Sequence, residues 1–173
     1  MKKMMVFVFV IAVVLAGCSS EKTSTGEDTA IKELHTKIEK LEKEVEQYKK
    51  LEQVHQLEQD SFPFLSNLTL DFTRAQISGD QEKLKSLIAE NLSVVKKEDG
   101  LYMVNQSTGD EWGLVYNGFQ DMVIQGYGYD EAKETMSVHT RQFFKEAELP
   151  TFLTLIFKKI NDEWKITDLS FDV

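Results

Sequence analysis

The sequence predicts an α+β fold: a long N-terminal helix or coiled coil, then a cone-shaped α+β roll with a curved antiparallel sheet. Apolar residues recur at helical spacing from residue 30 to residue 92. From residue 93 the apolar period changes to two, and short polar turns separate the segments. Because adjacent strands with short connections pair antiparallel, we expect helices first and a strand meander after them.

The N-terminal segment is typical of an export signal. Two lysines follow Met1, about a dozen apolar residues come next, and the segment ends in Leu15-Ala16-Gly17-Cys18. Since the apolar run is shorter than the ~20 residues that span a bilayer, we expect cleavage rather than a retained anchor. An ordinary signal peptide with an incidental cysteine is the alternative.

The four residues from Leu15 to Cys18 resemble the lipobox of bacterial lipoproteins at every position. This resemblance implies a signal peptide over 1–17 and a diacylglyceryl Cys18 at the start of the mature protein. Two acyl chains, such as palmitate, give a stable anchor where one chain is marginal. The predicted location is therefore the cell membrane, lipid-anchored, on its extracytoplasmic face.

Composition narrows the expected partners and cofactors. Cys18 is the only cysteine, so no thiol remains for a disulfide, a thiolate metal site or a nucleophile. Loss of residues 1–17 changes the formal net charge from −9 to −11, which argues against nucleic acid as a partner. The sequence contains no phosphate-binding glycine loop and no zinc spacing, so we expect no cofactor and no metal.

A polar tether and a helical stalk follow the cysteine. Residues 18–29 are small and polar and predict a flexible tether, and residues 30–60 predict the stalk. Apolar residues spaced 3, 4, 3, 4 and 3 form a heptad seam, which we call the seam: Ile31, Leu34, Ile38, Leu41, Val45 and Tyr48.

Two interpretations of this helix remain open. It is either an amphipathic helix that packs on the domain or acts as a solvated spacer, or a helix that pairs with a copy or a partner helix through residues 31–57. After Tyr48 the apolar spacing slips, so a strict seam ends there. His35 and His55 lie far apart on the segment and are predicted to be surface or seam residues, not metal ligands.

The roll is predicted over 62–173. Ser61-Phe62-Pro63 predicts the end of the stalk helix and the start of another, because proline disfavours helix at the residue before it. Asp80 is the expected N-cap of a short helix that follows. Asp99-Gly100 predicts a hairpin. Four long strands are then expected at 122–129, 135–144, 152–160 and 164–173.

Three segments of the roll resemble the nuclear transport factor 2-like superfamily, which includes ketosteroid isomerase and the SnoaL-like cyclases. They are the helix end Gln76-Ile77-Ser78-Gly79-Asp80, the short helix at 84–88, and the closing hairpin over 152–166 with Trp164. The resemblance implies a cone whose pocket has served catalysis, ligand binding or protein contact in different members. The fold alone does not choose among these.

Enzymes of this superfamily need a base that faces an oxyanion-stabilising donor. His139 and Arg141 share one strand face, and Tyr127 and Tyr129 alternate similarly on the preceding strand. None of the four matches a catalytic position of the family, so no catalytic residue is predicted.

The sequence therefore favours a non-enzymatic, membrane-anchored lipoprotein of the cell envelope that presents the roll for protein interaction. The alternative is a small-molecule-binding protein, or an isomerase- or cyclase-like enzyme, that uses those four side chains in the cone pocket.

Overall fold

The structure, a computed structural model, describes residues 24–114, 117–145 and 147–172. The predicted signal peptide 1–17 and Cys18 lie outside this range. The chain divides into two compact units, residues 1–47 and 48–173, and each is described by itself. The elements are α1 Ser24–Ser78, α2 Gln81–Leu87, β1 Leu92–Lys97, β2 Gly100–Asn105, β3 Glu111–Gly113, β4 Phe119–Asp130, β5 Thr135–Phe144, β6 Thr151–Ile160 and β7 Glu163–Asp172.

The fold class is α+β with one long N-terminal helix, as predicted, but two details of that helix differ. Helix α1 begins at Ser24, so residues 24–29, which were expected in the flexible tether, are helical. The predicted break at Ser61-Phe62-Pro63 is wrong, since α1 continues through Pro63 to Ser78.

Contacts on both sides of Pro63 explain why the helix continues. The ring of Phe62 stacks on that of Tyr127 at 4.1 Å between centroids, and Leu65 is fully buried. Ser66 donates a hydrogen bond to the Pro63 carbonyl at 2.9 Å. Tertiary packing therefore outweighs the local preference against helix around a proline.

The short helix α2 follows the predicted capping chemistry. Gly79 has φ +69°, the left-handed conformation that ends many helices, and Asp80 is the N-cap of α2. The Asp80 carboxylate accepts a hydrogen bond from the Lys83 backbone N–H at 3.0 Å. Local sequence chemistry was sufficient here because a cap depends on neighbouring residues alone.

The strands form two open antiparallel sheets instead of one curved sheet. Strands β1, β2 and β3 make the first sheet in that order, and β4, β5, β6 and β7 make the second. The meander of four long strands is confirmed. β3 adds a short strand in a segment whose pattern was ambiguous, and a closed cone is not observed.

Two-residue turns close the hairpins at each end of the strand region. Lys97 pairs with Gly100, so the predicted β1–β2 hairpin is present, but its turn consists of residue 98 and Asp99 and lies one residue before the predicted Asp99-Gly100. Ile160 pairs with Glu163 in the β6–β7 hairpin. The two central residues of that turn both have positive φ, as a type I′ turn requires: Asn161 at 50° and Asp162 at 66°.

One hydrophobic core joins both sheets to the helices within the unit 48–173. Leu65, Phe72 and Ala75 lie on one face of α1, and Leu84 and Leu87 come from α2. Each fully buried large side chain contributes roughly 1.5–3 kcal/mol relative to exposure. The strands also contribute fully buried side chains, and in β5 and β6 these occur at every second position. The buried strand residues are Met103, Met136, Val138, Leu153, Leu155, Phe157 and Ile166.

Candidate functional site

The seam on α1 is the largest group of exposed apolar side chains in the described chain. Its six residues expose between 50% and 70% of their surface. Scattered apolar residues are normal on protein surfaces, but a contiguous stripe of six at heptad spacing is typical of a contact surface. Five of the six lie in the unit that ends at residue 47.

The flanks of the seam are charged and solvated. Lys40 lies 3.7 Å from Glu44 in an i,i+4 pair, with both side chains largely exposed. Thr36 donates to the Lys32 carbonyl at 2.9 Å. An apolar stripe between charged flanks is the arrangement that pairing helices use.

Both histidines of α1 have exposed side chains. The His55 ring nitrogen Nε2 lies 2.8 Å from Gln59 Nε2, and its Nδ1 lies 4.0 Å from the Glu58 carboxylate. His35 lies on the exposed part of α1. Among the described residues, no three His, Cys, Asp or Glu side chains are grouped in a way that holds a metal ion.

Strand register places the four predicted pocket residues on opposite faces of the second sheet. Tyr127 pairs with the fully buried Val138, and a bulge between 124 and 126 sets this register. His139 lies opposite Gly126, one position further along. Because side chains alternate along a strand, the two tyrosines share the core side of the sheet with Val138, whereas His139 and Arg141 share the other side.

Both tyrosine positions contact α1. Phe62 stacks on Tyr127 with an interplanar angle of 22°. The backbone N–H of Tyr129 donates to the Glu58 Oε1 atom at 2.9 Å. This end of β4 therefore holds the helix against the sheet.

His139 and Arg141 lie on the far side of the sheet, which we call the outer face and define by Val123, His139, Arg141 and Phe152. His139 Nδ1 lies 2.9 Å from the Thr154 hydroxyl oxygen. The Arg141 guanidinium lies over the Phe152 ring at 5.1 Å from its centroid, a cation–π arrangement. The structure thus does not bring the four predicted side chains together around one space.

A half-open cleft that the sequence did not indicate lies beside the β6–β7 hairpin. Its volume is about 560 Å³, and Ile88, Asn91, Glu163 and Lys165 are among its lining residues. Lys165 Nζ already donates to the Ser86 carbonyl at 3.0 Å and lies 3.0 Å from the Glu163 carboxylate. Asn91 donates to the Thr167 carbonyl. Because Lys165 and Asn91 already bond to other groups of the protein, these side chains do not indicate a particular ligand for the cleft.

Both α1 and β5 carry buried polar side chains. Thr69 and Thr73 are buried and donate to α1 carbonyls, and Thr140 donates to the Leu153 carbonyl at 3.0 Å. The Gln142 amide is fully buried, and neither its oxygen nor its nitrogen has a hydrogen-bond partner. Such an amide carries a desolvation cost of about 1–3 kcal/mol.

Three titratable groups with shifted pKa values meet at the exposed β1–β2 hairpin. The Tyr102 hydroxyl donates to Asp99 at 2.6 Å, which lowers the pKa of the Asp99 carboxyl and raises the pKa of Tyr102. A hydrogen bond to Glu111 raises the pKa of Lys97, whose Nζ also lies over the Tyr102 ring. These contacts fasten β1, β2 and β3 together at a partly exposed surface.

Comparison with known proteins identifies the N-terminal segment only. Residues 1–19 match the family described as the prokaryotic membrane lipoprotein lipid attachment site. This match supports a bacterial lipoprotein that is anchored to a membrane through lipid. No curated protein and no solved structure matches the chain. Within the described residues, no helix combines the length and the apolar character needed to cross a bilayer.

Proposed function

We propose that this chain is a lipid-anchored protein of the bacterial cell envelope, held on the extracytoplasmic face through diacylglyceryl Cys18. In this proposal it is not an enzyme. It acts by presenting protein-binding surfaces. Residues 18–29, of which 24–29 are helical, link the anchor to the stalk at 30–60 and to the interaction domain at 62–173.

The observation that carries the proposal is the exposure of the seam in a chain that has a lipid attachment site at residues 1–19. An apolar stripe of this kind is costly in water unless a protein surface covers it. The formal charge of −11 after signal cleavage argues against the membrane surface as that cover, because anionic head groups repel an acidic protein. Contact with protein is therefore the favoured role.

We also propose that residues 62–173 form a member of the nuclear transport factor 2-like superfamily. The order of elements supports it, since helices precede a four-stranded meander that closes with the Asn161-Asp162 hairpin. The two separate open sheets are a departure from the expected single curved sheet. Superfamily membership would leave function open, because the fold hosts both enzymes and binding proteins.

The alternative function is that of an isomerase- or cyclase-like pocket. It needs a base and an oxyanion donor around one space. His139 and Arg141 lie on the outer face, where they contact Thr154 and the Phe152 ring, whereas the tyrosine pair lies on the core side. The unpartnered Gln142 amide is the one observation that favours a polar interior ligand.

The anchor is tested by Cys18→Ala in the native bacterium. We expect the wild-type chain in the membrane fraction and labelled by an alkynyl fatty acid. The variant should lose the label and be released from the membrane. A variant that stays membrane-bound and is processed normally would show that Cys18 is not the anchor.

The interaction role is tested by placing a photo-crosslinking amino acid at single positions in intact cells. Phe152 probes the outer face, and the exposed Lys133, on the β4–β5 turn, is the matched control in the same unit. We expect a discrete adduct with a second envelope protein from Phe152 and none from Lys133. Equal labelling at both positions, or no adduct at either, would contradict a partner on this face.

A further inference from the structure

We propose that the seam binds a second copy of this chain, and that the two α1 helices pair parallel and in register as a two-stranded coiled coil over residues 31–48. The inference rests on the proposed function, in which the stalk makes protein contacts, and it specifies the partner. Every seam residue in one copy is at least half exposed and is therefore available for pairing.

The residue types at the seam select the number and direction of strands. In a heptad labelled a to g, Ile31, Ile38 and Val45 occupy a positions, and Leu34 and Leu41 occupy d positions. β-Branched residues at a combined with leucine at d favour parallel two-stranded coiled coils over other assemblies. No polar residue interrupts these five layers, so each can be dry.

The charges beside the seam are complementary to those of the same chain. In a parallel pair, a g residue faces the e residue five positions further along the partner. Lys37 at g then meets the partner's Glu42, and Glu44 at g meets the partner's Lys49. Both pairs are of opposite sign and occur twice in a symmetric dimer, as an isologous interface requires.

An antiparallel pair would also be free of charge repulsion, since Lys37 would then face the partner's Glu44. The a and d residue types and the anchor distinguish the two arrangements. Lipid attachment at residue 18 places the N-terminal ends of both helices at the same membrane, which favours parallel pairing.

The length and area of the seam suit a dimer that depends on the membrane. Six half-exposed apolar side chains present roughly 600 Å² per copy, or roughly 1,200 Å² for the pair, just above the ~1,000 Å² of a specific interface. Anchoring both copies in one membrane raises their effective concentration. The pairing ends after residue 48, because Glu52 falls at the next a position and would face its own copy.

Disulfide trapping of the full-length protein in its own membrane tests the pairing. Leu41→Cys places a thiol at a d position, where parallel in-register helices bring the two Cβ atoms within disulfide distance. Lys43→Cys is the matched control on the opposite face of the same turn. On mild oxidation we expect Leu41→Cys to give several-fold more reducible dimer than Lys43→Cys and the wild type.

Two outcomes overturn the proposal. Equal trapping of Leu41→Cys and Lys43→Cys would show that the seam does not pair with itself. Trapping only when Ile38→Cys and Leu41→Cys chains are co-expressed would show an antiparallel pair, in which those two positions face each other.

A charge exchange in the Leu41→Cys background gives a second readout of direction. Lys37→Glu should reduce trapping, and adding Glu42→Lys should restore it. Restoration by Glu44→Lys instead would contradict the parallel register. The Phe152 photo-crosslinker reports separately on a second protein, so trapping without an adduct at Phe152 refutes that partner and leaves the coiled coil intact.

Discussion

Residues 28–47 and 48–78 of α1 carry apolar side chains at similar helical spacing and differ in what covers them. In the first stretch Leu34 and Leu41 expose more than half of their surface, whereas Leu65 and Phe72 in the second are fully buried. Periodicity therefore indicates a helix and its apolar face, but the partner of that face decides its role. From Leu65 onward the second stretch contributes buried side chains to the core, whereas the apolar face of the first has no cover within the described chain.

The largest expected effect on stability comes from truncating a buried side chain in the second stretch. Phe72→Ala should lower the free energy of unfolding by about 3–5 kcal/mol, because it removes a fully buried ring. Leu34→Ala, its counterpart on the seam, should change it by no more than about 0.5 kcal/mol in the chain removed from the membrane, where the seam is expected to be unpaired. Chemical denaturation followed by tryptophan fluorescence is suitable, since Trp112 and Trp164 both lie in the unit 48–173. Similar losses in the two variants would show that the seam is also part of a packed core.

Changing a proline within α1 should have a smaller effect on stability than Phe72→Ala. Pro63→Ala should stabilise the chain by about 2 kcal/mol, because an exposed interior proline lacks the N–H that α1 uses and alanine restores it. Glu39→Pro, in the uncovered stretch, should reduce helicity in the far-UV circular dichroism spectrum. If Pro63→Ala were destabilising, the proline would have a packing role that its exposure does not indicate.

Local sequence chemistry predicted the helices, strands and turns better than it predicted which of them pack together. The Asp80 cap, the β1–β2 hairpin and the four-stranded meander depend on neighbouring residues, and each is present, although the hairpin turn lies one residue before Asp99-Gly100. The continuation through Pro63 depends on Phe62 and Leu65 packing against distant strands, which no local pattern reveals.

The predicted pocket shows the same limit. A strand pattern gives two faces but not the register with its neighbour, and the bulge in β4 decides which residues face Val138. For this reason His139 and Tyr127 could be placed on strands from the sequence, but not on opposite sides of the sheet. The seam was predicted as an apolar face, whereas its exposure required the structure.

The sheet that covers the second stretch of α1 contains a polar group whose replacement should be favourable. Gln142→Met keeps the side-chain length and removes an amide without partners, so we expect a gain of about 1–2 kcal/mol in unfolding free energy. Thr140→Val is the matched control and should cost about 1 kcal/mol, since Thr140 has a hydrogen bond to lose. A destabilised Gln142→Met would mean that the amide has a bound partner and would strengthen the pocket alternative.

The smallest effect is expected at the β1–β2 hairpin, where exposed contacts resemble the solvated flanks of the seam more than the core. The hydrogen bond from Tyr102 lowers the pKa of the Asp99 carboxyl. The hydrogen bond therefore stabilises the fold at pH values above the ordinary carboxyl pKa. This stabilisation is lost as the pH falls through the lowered pKa, below about 4. Tyr102→Phe should raise the Asp99 pKa towards its ordinary value, as measured by NMR titration of the side-chain carboxyl carbon. The stability at neutral pH should change little, because both groups are solvated. An unchanged Asp99 pKa in the variant would show that the hydrogen bond is not formed in solution, and the hairpin would then depend on the β1–β2 strand pairing alone.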